Sequence, residues 1–225
     1  MADDAGGIAE TSGSDPWETA YLRFETSEQS IHRALKRLQK LGVAQFPRDA
    51  RVVELFCGRG NGLHALNRLG FTRVEGVDFS PRLVELYSGS AKFHVSDCRQ
   101  LPFSDHSRDV LIVQGGLHHL PALPESLAET LAEMHRVTRK GGRLIVVEPW
   151  LTPFLRLVHW TLSVPLARWR PRKLEALASM IEYERNTYEQ WLKQPELILE
   201  LVHEYFSPVH ESFAWGKWFF VGAPA

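Results

Sequence analysis

Three glycines two residues apart, in Glu54-Leu-Phe-Cys-Gly58-Arg-Gly60-Asn-Gly62, follow directly on an apolar run from Val52 to Phe56. Glycine is wanted where a backbone turns sharply or approaches a ligand with no Cβ in the way. Such a turn at the end of a strand is where parallel sheets bind nucleotide-like ligands. The dinucleotide fingerprint needs glycine at position 63, where Leu63 stands, and this argues against a nicotinamide-dependent oxidoreductase. Asp78, in Gly76-Val-Asp78-Phe-Ser-Pro81, closes a second apolar run. A carboxylate there can accept both hydroxyl hydrogens of a ribose, although a lone acid could equally cap a helix. Ser96-Asp97-Cys98 closes a third run, and Gln114-Gly-Gly-Leu-His118-His119 a fourth. Histidine titrates near neutrality, so His118 and His119 are candidates for taking a proton from a substrate, His119 being favoured. The alternative is that one caps the following loop and the other packs under the sheet. No metal is expected, because adjacent histidines on one segment rarely converge on one ion without further ligands.

These residues need a frame that brings strand ends together. The apolar runs Arg51–Phe56, Arg73–Asp78, Ala91–Ser96, Asp109–Gln114 and Arg143–Glu148 alternate with helical patterns. Val110-Leu-Ile-Val113 and Leu144-Ile-Val-Val147 are continuous, as in strands buried on both faces of a parallel sheet. Thr26-Ser-Glu-Gln29 fits a capping box ahead of Ile31, Leu35, Leu38 and Leu41 at helical spacing, with Gly42 placed to stop the helix. Ser80-Pro81 supplies a cap and a first-turn proline. Pro124 to Arg139 reads as a helix with acids early and bases late, ended by Gly141-Gly142. After Pro149 the alternation stops. Residues 150–206 read as an aromatic-rich helical insertion, followed by two strands, Val209–Trp215 and Lys217–Val221, around Gly216.

Taken together, the strand ends resemble the class I S-adenosylmethionine-dependent methyltransferases, specifically the small-molecule branch called type 11, over residues 50–149. The resemblance implies a Rossmann-like α/β fold. Its sheet has seven strands, mostly parallel with an antiparallel last strand, helices on both faces and a helical cap between strands 5 and 6. It also implies S-adenosyl-L-methionine as cofactor and S-adenosyl-L-homocysteine as product. On the family's pattern Glu54, Gly58, Gly60 and Gly62 wrap the methionine part. Asp78 then binds the ribose hydroxyls, Phe79 flanks the adenine, and Asp97 with Cys98 meets its edge. Gln114 faces the amino-acid end, and Tyr21 with Trp17 forms a lid. Arg136-Val-Thr-Arg-Lys-Gly-Gly-Arg143 resembles the family's turn before the fifth strand, with Arg139-Lys140 in place of Lys-Pro.

The rest of the chain sets limits. A chain of 225 residues with 44% hydrophobic and 24% charged content suits one α/β domain, here 16–225, with 1–15 as a disordered leader. A net charge of −1 gives no footprint for nucleic acid, and the fourth strand end lacks the Asn/Asp-Pro-Pro-Tyr/Phe motif of enzymes that methylate adenine or glutamine nitrogen. Cys57 and Cys98 are expected as reduced, partly buried thiols, in keeping with a cytoplasmic protein. No segment reads as a signal peptide or a transmembrane span. Arg168-Trp-Arg-Pro-Arg172-Lys173 is expected as a solvated helix end, with an anionic substrate group or a membrane surface as the alternative. The reading is methyl transfer to a small, partly apolar or aromatic metabolite, oxygen being the favoured acceptor, with His119 or His118 as base. The alternative is a non-catalytic scaffold that keeps the fold and cofactor pocket. Acceptor identity and oligomeric state are left open.

Overall fold

The structure is a computed structural model that describes residues 16–163 and 172–225. Among these, seven strands form one sheet: β1 (Arg51–Leu55), β2 (Arg73–Asp78), β3 (Lys92–Val95), β4 (Arg108–Gln114), β5 (Thr138–Pro149), β6 (Phe206–Ala214) and β7 (Lys217–Pro224). Their order is β3-β2-β1-β4-β5-β7-β6, parallel throughout except for β7, which runs antiparallel to both neighbours. The chain steps outward from β1 to β3, then returns to place β4 on the other side of β1. That reversal opens a crevice at the carboxyl ends of β1 and β4, where ligands bind in sheets of this kind.

The continuous apolar runs are buried on both faces. Val53, Leu55, Leu111, Val113, Leu144 and Val146 face one core, and Val52, Val110, Ile112, Ile145 and Val147 face the other. The first core is covered by α5 (Glu125–Val137) and α9 (Pro195–Tyr205). The second is covered by α2 (Ser27–Lys40) and α3 (Asn61–Arg68). Helix α2 begins where its cap predicts: Thr26 Oγ1 accepts from the Gln29 amide at 3.3 Å, and Gly42 (φ 76°) lies just past its end. Ser80 caps α4 (Pro81–Glu85) by accepting from the Leu83 amide at 3.2 Å.

Two boundaries differ from the sequence reading. Helix α5 stops at Val137, before Gly141-Gly142, because Thr138 is already extended and its hydroxyl bonds the Met134 carbonyl at 2.6 Å. The glycine pair instead lies inside β5, opposite a register shift between Arg108 and Val110. A Cβ on Gly142 would crowd the Arg139 and Asp109 carbonyls. Strand β6 starts at Phe206 rather than Val209 and includes Pro208, tolerated because the strand is an edge with a register shift at that point.

Between β5 and β6 the described residues are mostly helical, as expected: α6 (Pro153–Ser163), α7 (Arg172–Tyr183), α8 (Arg185–Lys193) and α9. Trp191 of α8 anchors the insertion, buried in the core with its indole N–H donating to the Pro149 carbonyl at 2.9 Å. Helix α1 (Pro16–Phe24) packs against α7, so the two cover the crevice together. No helix among the described residues is long and apolar enough to cross a membrane.

Candidate active site

A cavity of about 760 Å³ opens at the carboxyl ends of β1, β2 and β4, within the range of small-ligand sites. Its floor is the turn after β1. Phe56 (φ 55°), Gly58 (φ 53°) and Gly60 (φ 78°) all hold left-handed backbone there, carrying the chain from β1 into α3. Gly62 opens α3 where a Cβ would overlap the Glu54 carboxylate, so only glycine lets that acid lie against the helix start. Gly60 does a different job. It is absent from the cavity wall, and a Cβ on it would strike the Tyr87 ring. Gly60 thus packs behind the turn, off the cavity wall.

Glu54 is the pivot of the floor. Its Oε1 accepts from Gln114 Nε2 at 2.8 Å, and Gln114 Oε1 accepts from Arg37 Nη1 at 3.0 Å. Its Oε2 is buried and has no partner. Burial, opposed by Gln114 and Arg37, pushes the Glu54 carboxyl up to about 7. An unsatisfied buried carboxylate oxygen in a cavity wall calls for a cationic or N–H-bearing ligand group. Asp78 braces the same floor, accepting from the Gly58 amide at 2.6 Å and the Ser80 amide at 3.0 Å. Tyr21 from α1 reaches over Gly58, and burial raises its phenol.

At the far side Phe79 is 77% exposed and presents its ring at the cavity rim. Asp97 also lines the cavity, but its carboxylate is taken up by Arg99, with the closest contact at 2.7 Å. Arg99 holds that carboxyl below its ordinary value. The Cys98 thiol turns inward, 3.6 Å from Thr130 Oγ1, and burial raises it to about 11. Cys98 therefore contributes wall, not a reactive thiol.

His118 and His119 end the opposite side, on the 3-10 turn Leu117–His119 after β4. They are not equivalent. His118 Nδ1 lies 2.7 Å from Glu148 Oε2, and the fully buried Glu148 also accepts from the Gly116 and Leu117 amides at 2.7 and 2.8 Å. Burial works against the charged ring, yet Glu148 and then Glu184 raise His118 to about 9. His118 thus lines the cavity as expected, with its Nδ1 committed to Glu148. His119 Nδ1 sits 3.2 Å from Glu184 Oε1, and its side chain is 29% exposed at the cavity.

Several wall residues were not legible in the sequence. Arg37 comes from the N-terminal helix, Glu148 from the end of β5, Glu184 from the insertion, and Lys217 from the start of β7. Burial, reinforced by Arg37, pushes the Lys217 amine down to about 8. A polar residue ending an apolar strand was the available signal for Glu148; nothing local marks Glu184. Residues 168–171 of the basic cluster, Trp169 among them, and residues 1–15 lie outside the described residues, as do the side chains of Arg172, Lys173 and Trp17.

The floor fits S-adenosylmethionine on this chain's own features. Glu54 offers an unsatisfied buried oxygen against Gly62, where a Cβ would displace the carboxylate, and Asp78 stands one strand away. Comparison with known proteins points the same way. A family profile described as a methyltransferase domain matches residues 53–146. A ubiquinone/menaquinone biosynthesis C-methyltransferase of Rubrivivax gelatinosus is 30% identical over 171 residues, covering 71% of this chain and 65% of the relative. A demethylmenaquinone methyltransferase of Thermobifida fusca is 27% identical, covering 81% of this chain and 84% of the relative. The chain spans between 40% and 65% of the length of the first curated relatives it matches. The fold is shared with a crystallised protein of Pyrococcus horikoshii (TM-score 0.69, 20% identity, 95% of this chain and 100% of that one). It is shared also with a SAM-dependent methyltransferase of Archaeoglobus fulgidus (TM-score 0.59, 16% identity, 93% and 100%).

Proposed function

From a chain that belongs to the class I S-adenosylmethionine-dependent methyltransferases, type 11 branch, we propose methyl transfer to a small ring-bearing acceptor with an ionisable hydroxyl. The observation that carries this is the arrangement of one cavity, with the Glu54 glycine cradle at its floor and His119 on its wall. When bound, S-adenosylmethionine supplies an electrophilic methyl on a sulfonium.

The chain's own residues do the rest. Glu54 and Gln114 would hold the cofactor's amino-acid end, Asp78 its ribose, and Phe79 its adenine face. Tyr21 closes over Gly58 and excludes water from that end. Holding donor and acceptor in line supplies much of the rate of such a displacement. The acceptor would lie among Phe24, Phe56, Leu120 and Met180, apolar walls that suit a ring. His119 would take the acceptor's hydroxyl proton at the ring nitrogen that faces it, with Glu184 placing the ring.

The methyl group ends on oxygen in this reading. A second reading, favoured by relatives named as C-methyltransferases of quinone biosynthesis, puts it on a ring carbon beside the same ionised hydroxyl. The test is a screen of phenols and hydroquinones with cofactor carrying a 13C methyl. An O-methyl or a C-methyl resonance in the product separates the two. Tight S-adenosylhomocysteine binding with no turnover on any acceptor would favour the scaffold alternative, and no binding would sink the proposal.

A further inference from the structure

Two adjacent histidines do not make a metal site, but the insertion brings a third donor to them. One ligand atom each from His118, His119 and Glu184 lies within 4.8 Å of the other two. His118 Nε2 is 3.6 Å from Glu184 Oε2, and His119 Nδ1 is 3.2 Å from Glu184 Oε1. The first distance is too long for a good hydrogen bond, and at Glu184 Oε1 the His119 contact is close but lacks hydrogen-bond geometry. Zinc with nitrogen and oxygen ligands at about 2.0–2.2 Å sets donor-to-donor distances of about 3.3–3.6 Å around a tetrahedron. The two histidines approach Glu184 at about that spacing, each at a different carboxylate oxygen, so a shared ion draws the three donors together from within 4.8 Å by a small side-chain rotation.

We propose that His118, His119 and Glu184 bind one divalent transition-metal cation at the acceptor end of the cavity. The surroundings support ligation. Ligating histidines characteristically give their second ring nitrogen to a carboxylate, which fixes ring orientation and strengthens the ligand. His118 does this: its Nδ1 is held by Glu148, itself fixed by two backbone amides, and its Nε2 is thereby aimed at Glu184. Two imidazoles and one carboxylate suit zinc-like ions better than magnesium or calcium, which prefer oxygen donors. All three ligand residues line the cavity, so a coordination position toward it remains open for an acceptor hydroxyl. What the ion does there rests on the methyl-transfer reading; whether it binds does not. With an ion held there, His119 would serve as a ligand, and the metal would lower the pKa of an acceptor hydroxyl so that its proton passes to solvent before the oxygen takes the methyl group.

The test is calorimetric titration of the chelator-treated full chain, free of any histidine tag, with Zn2+ alone. The expected result is one ion per chain, with Mg2+ failing to compete. Glu184→Gln and His119→Ala should each weaken binding by more than tenfold, and Glu148→Gln by about 10–100-fold through the His118 ring. S-adenosylhomocysteine titration of the same samples reports folding and cofactor binding independently. If wild type and variants bind S-adenosylhomocysteine but Zn2+ binds substoichiometrically, or equally well to Glu184→Gln, the metal site is wrong and the methyltransferase reading stands. Stoichiometric Zn2+ binding without S-adenosylhomocysteine binding would uphold the site and overturn that reading instead.

Discussion

Gln114 Nε2 donates to Glu54 Oε1 at 2.8 Å, tying the end of β4 to the end of β1 across the mouth of the sheet. Its own carbonyl oxygen accepts from Arg37, so one amide links a carboxylate and a guanidinium that would otherwise face each other in a buried wall. Gln114→Leu removes both bonds and leaves Glu54 with neither oxygen paired. A hydrogen bond to a charged group contributes about 1.5–3 kcal/mol. S-adenosylhomocysteine affinity, read by calorimetry, should therefore fall by roughly 10–150-fold, the range those energies correspond to.

The same carboxylate sets a pH dependence. Burial lifts Glu54 from 4.5 to about 7 in the folded chain. Below the unfolded value both states are protonated and the folded state carries no penalty. Between 4.5 and about 7 the unfolded chain has lost the proton and the folded chain keeps it, so stability falls as pH rises through that window. The full effect is roughly 3 kcal/mol at 1.36 kcal/mol per unit. Thermal melts of the ligand-free protein from pH 4.5 to 7.5 should show a downward drift that Glu54→Gln removes. Identical drifts in both proteins would contradict it.

Gly60 and Gly62 are two residues apart and predict different failures. Gly62→Ala forces the Glu54 carboxylate out of place and should abolish measurable S-adenosylhomocysteine binding. Gly60→Ala puts a side chain at φ 78° against the Tyr87 ring, away from the cavity. Its expected cost is about 1–3 kcal/mol of stability for a strained left-handed residue. The affinity of its folded fraction should change little. Melting curves paired with calorimetry separate the two outcomes.

How much of this was legible in the sequence follows from where each signal resides. Val110 to Val113 and Leu144 to Val147 announce central strands because burial on both faces removes any need for polar alternation. The glycine turn, Asp78 and Gln114 were legible because local backbone geometry and strand ends dictate them. Gly141-Gly142 misled because glycine serves a strand bulge as readily as a helix stop. Glu184 was invisible. Its meaning depends on α7 and α8 folding back over β4, a contact between positions about 65 residues apart that no periodicity encodes. The pairing of His118 with Glu148 was invisible for the same reason, since Glu148 lies on another strand.

That asymmetry between the two histidines yields the sharpest functional contrast. His118→Gln leaves the fully buried Glu148 without its cationic partner, while the Gly116 and Leu117 amides still hold the carboxylate in place. Removing one member of a buried pair costs about 3–5 kcal/mol, so this variant should melt well below wild type. His119 is partly exposed at the cavity, and its partner Glu184 also faces His118. His119→Gln should keep the wild-type melting temperature and S-adenosylhomocysteine affinity. Its turnover should fall by about 10²–10⁴-fold, the usual contribution of a positioned proton acceptor. The loss is expected whether the ring meets the acceptor directly or through a bound ion. Equal turnover in His119→Gln and wild type would remove His119 from the reaction and leave Lys217, a cavity-lining amine that burial lowers to about 8, as the group to examine.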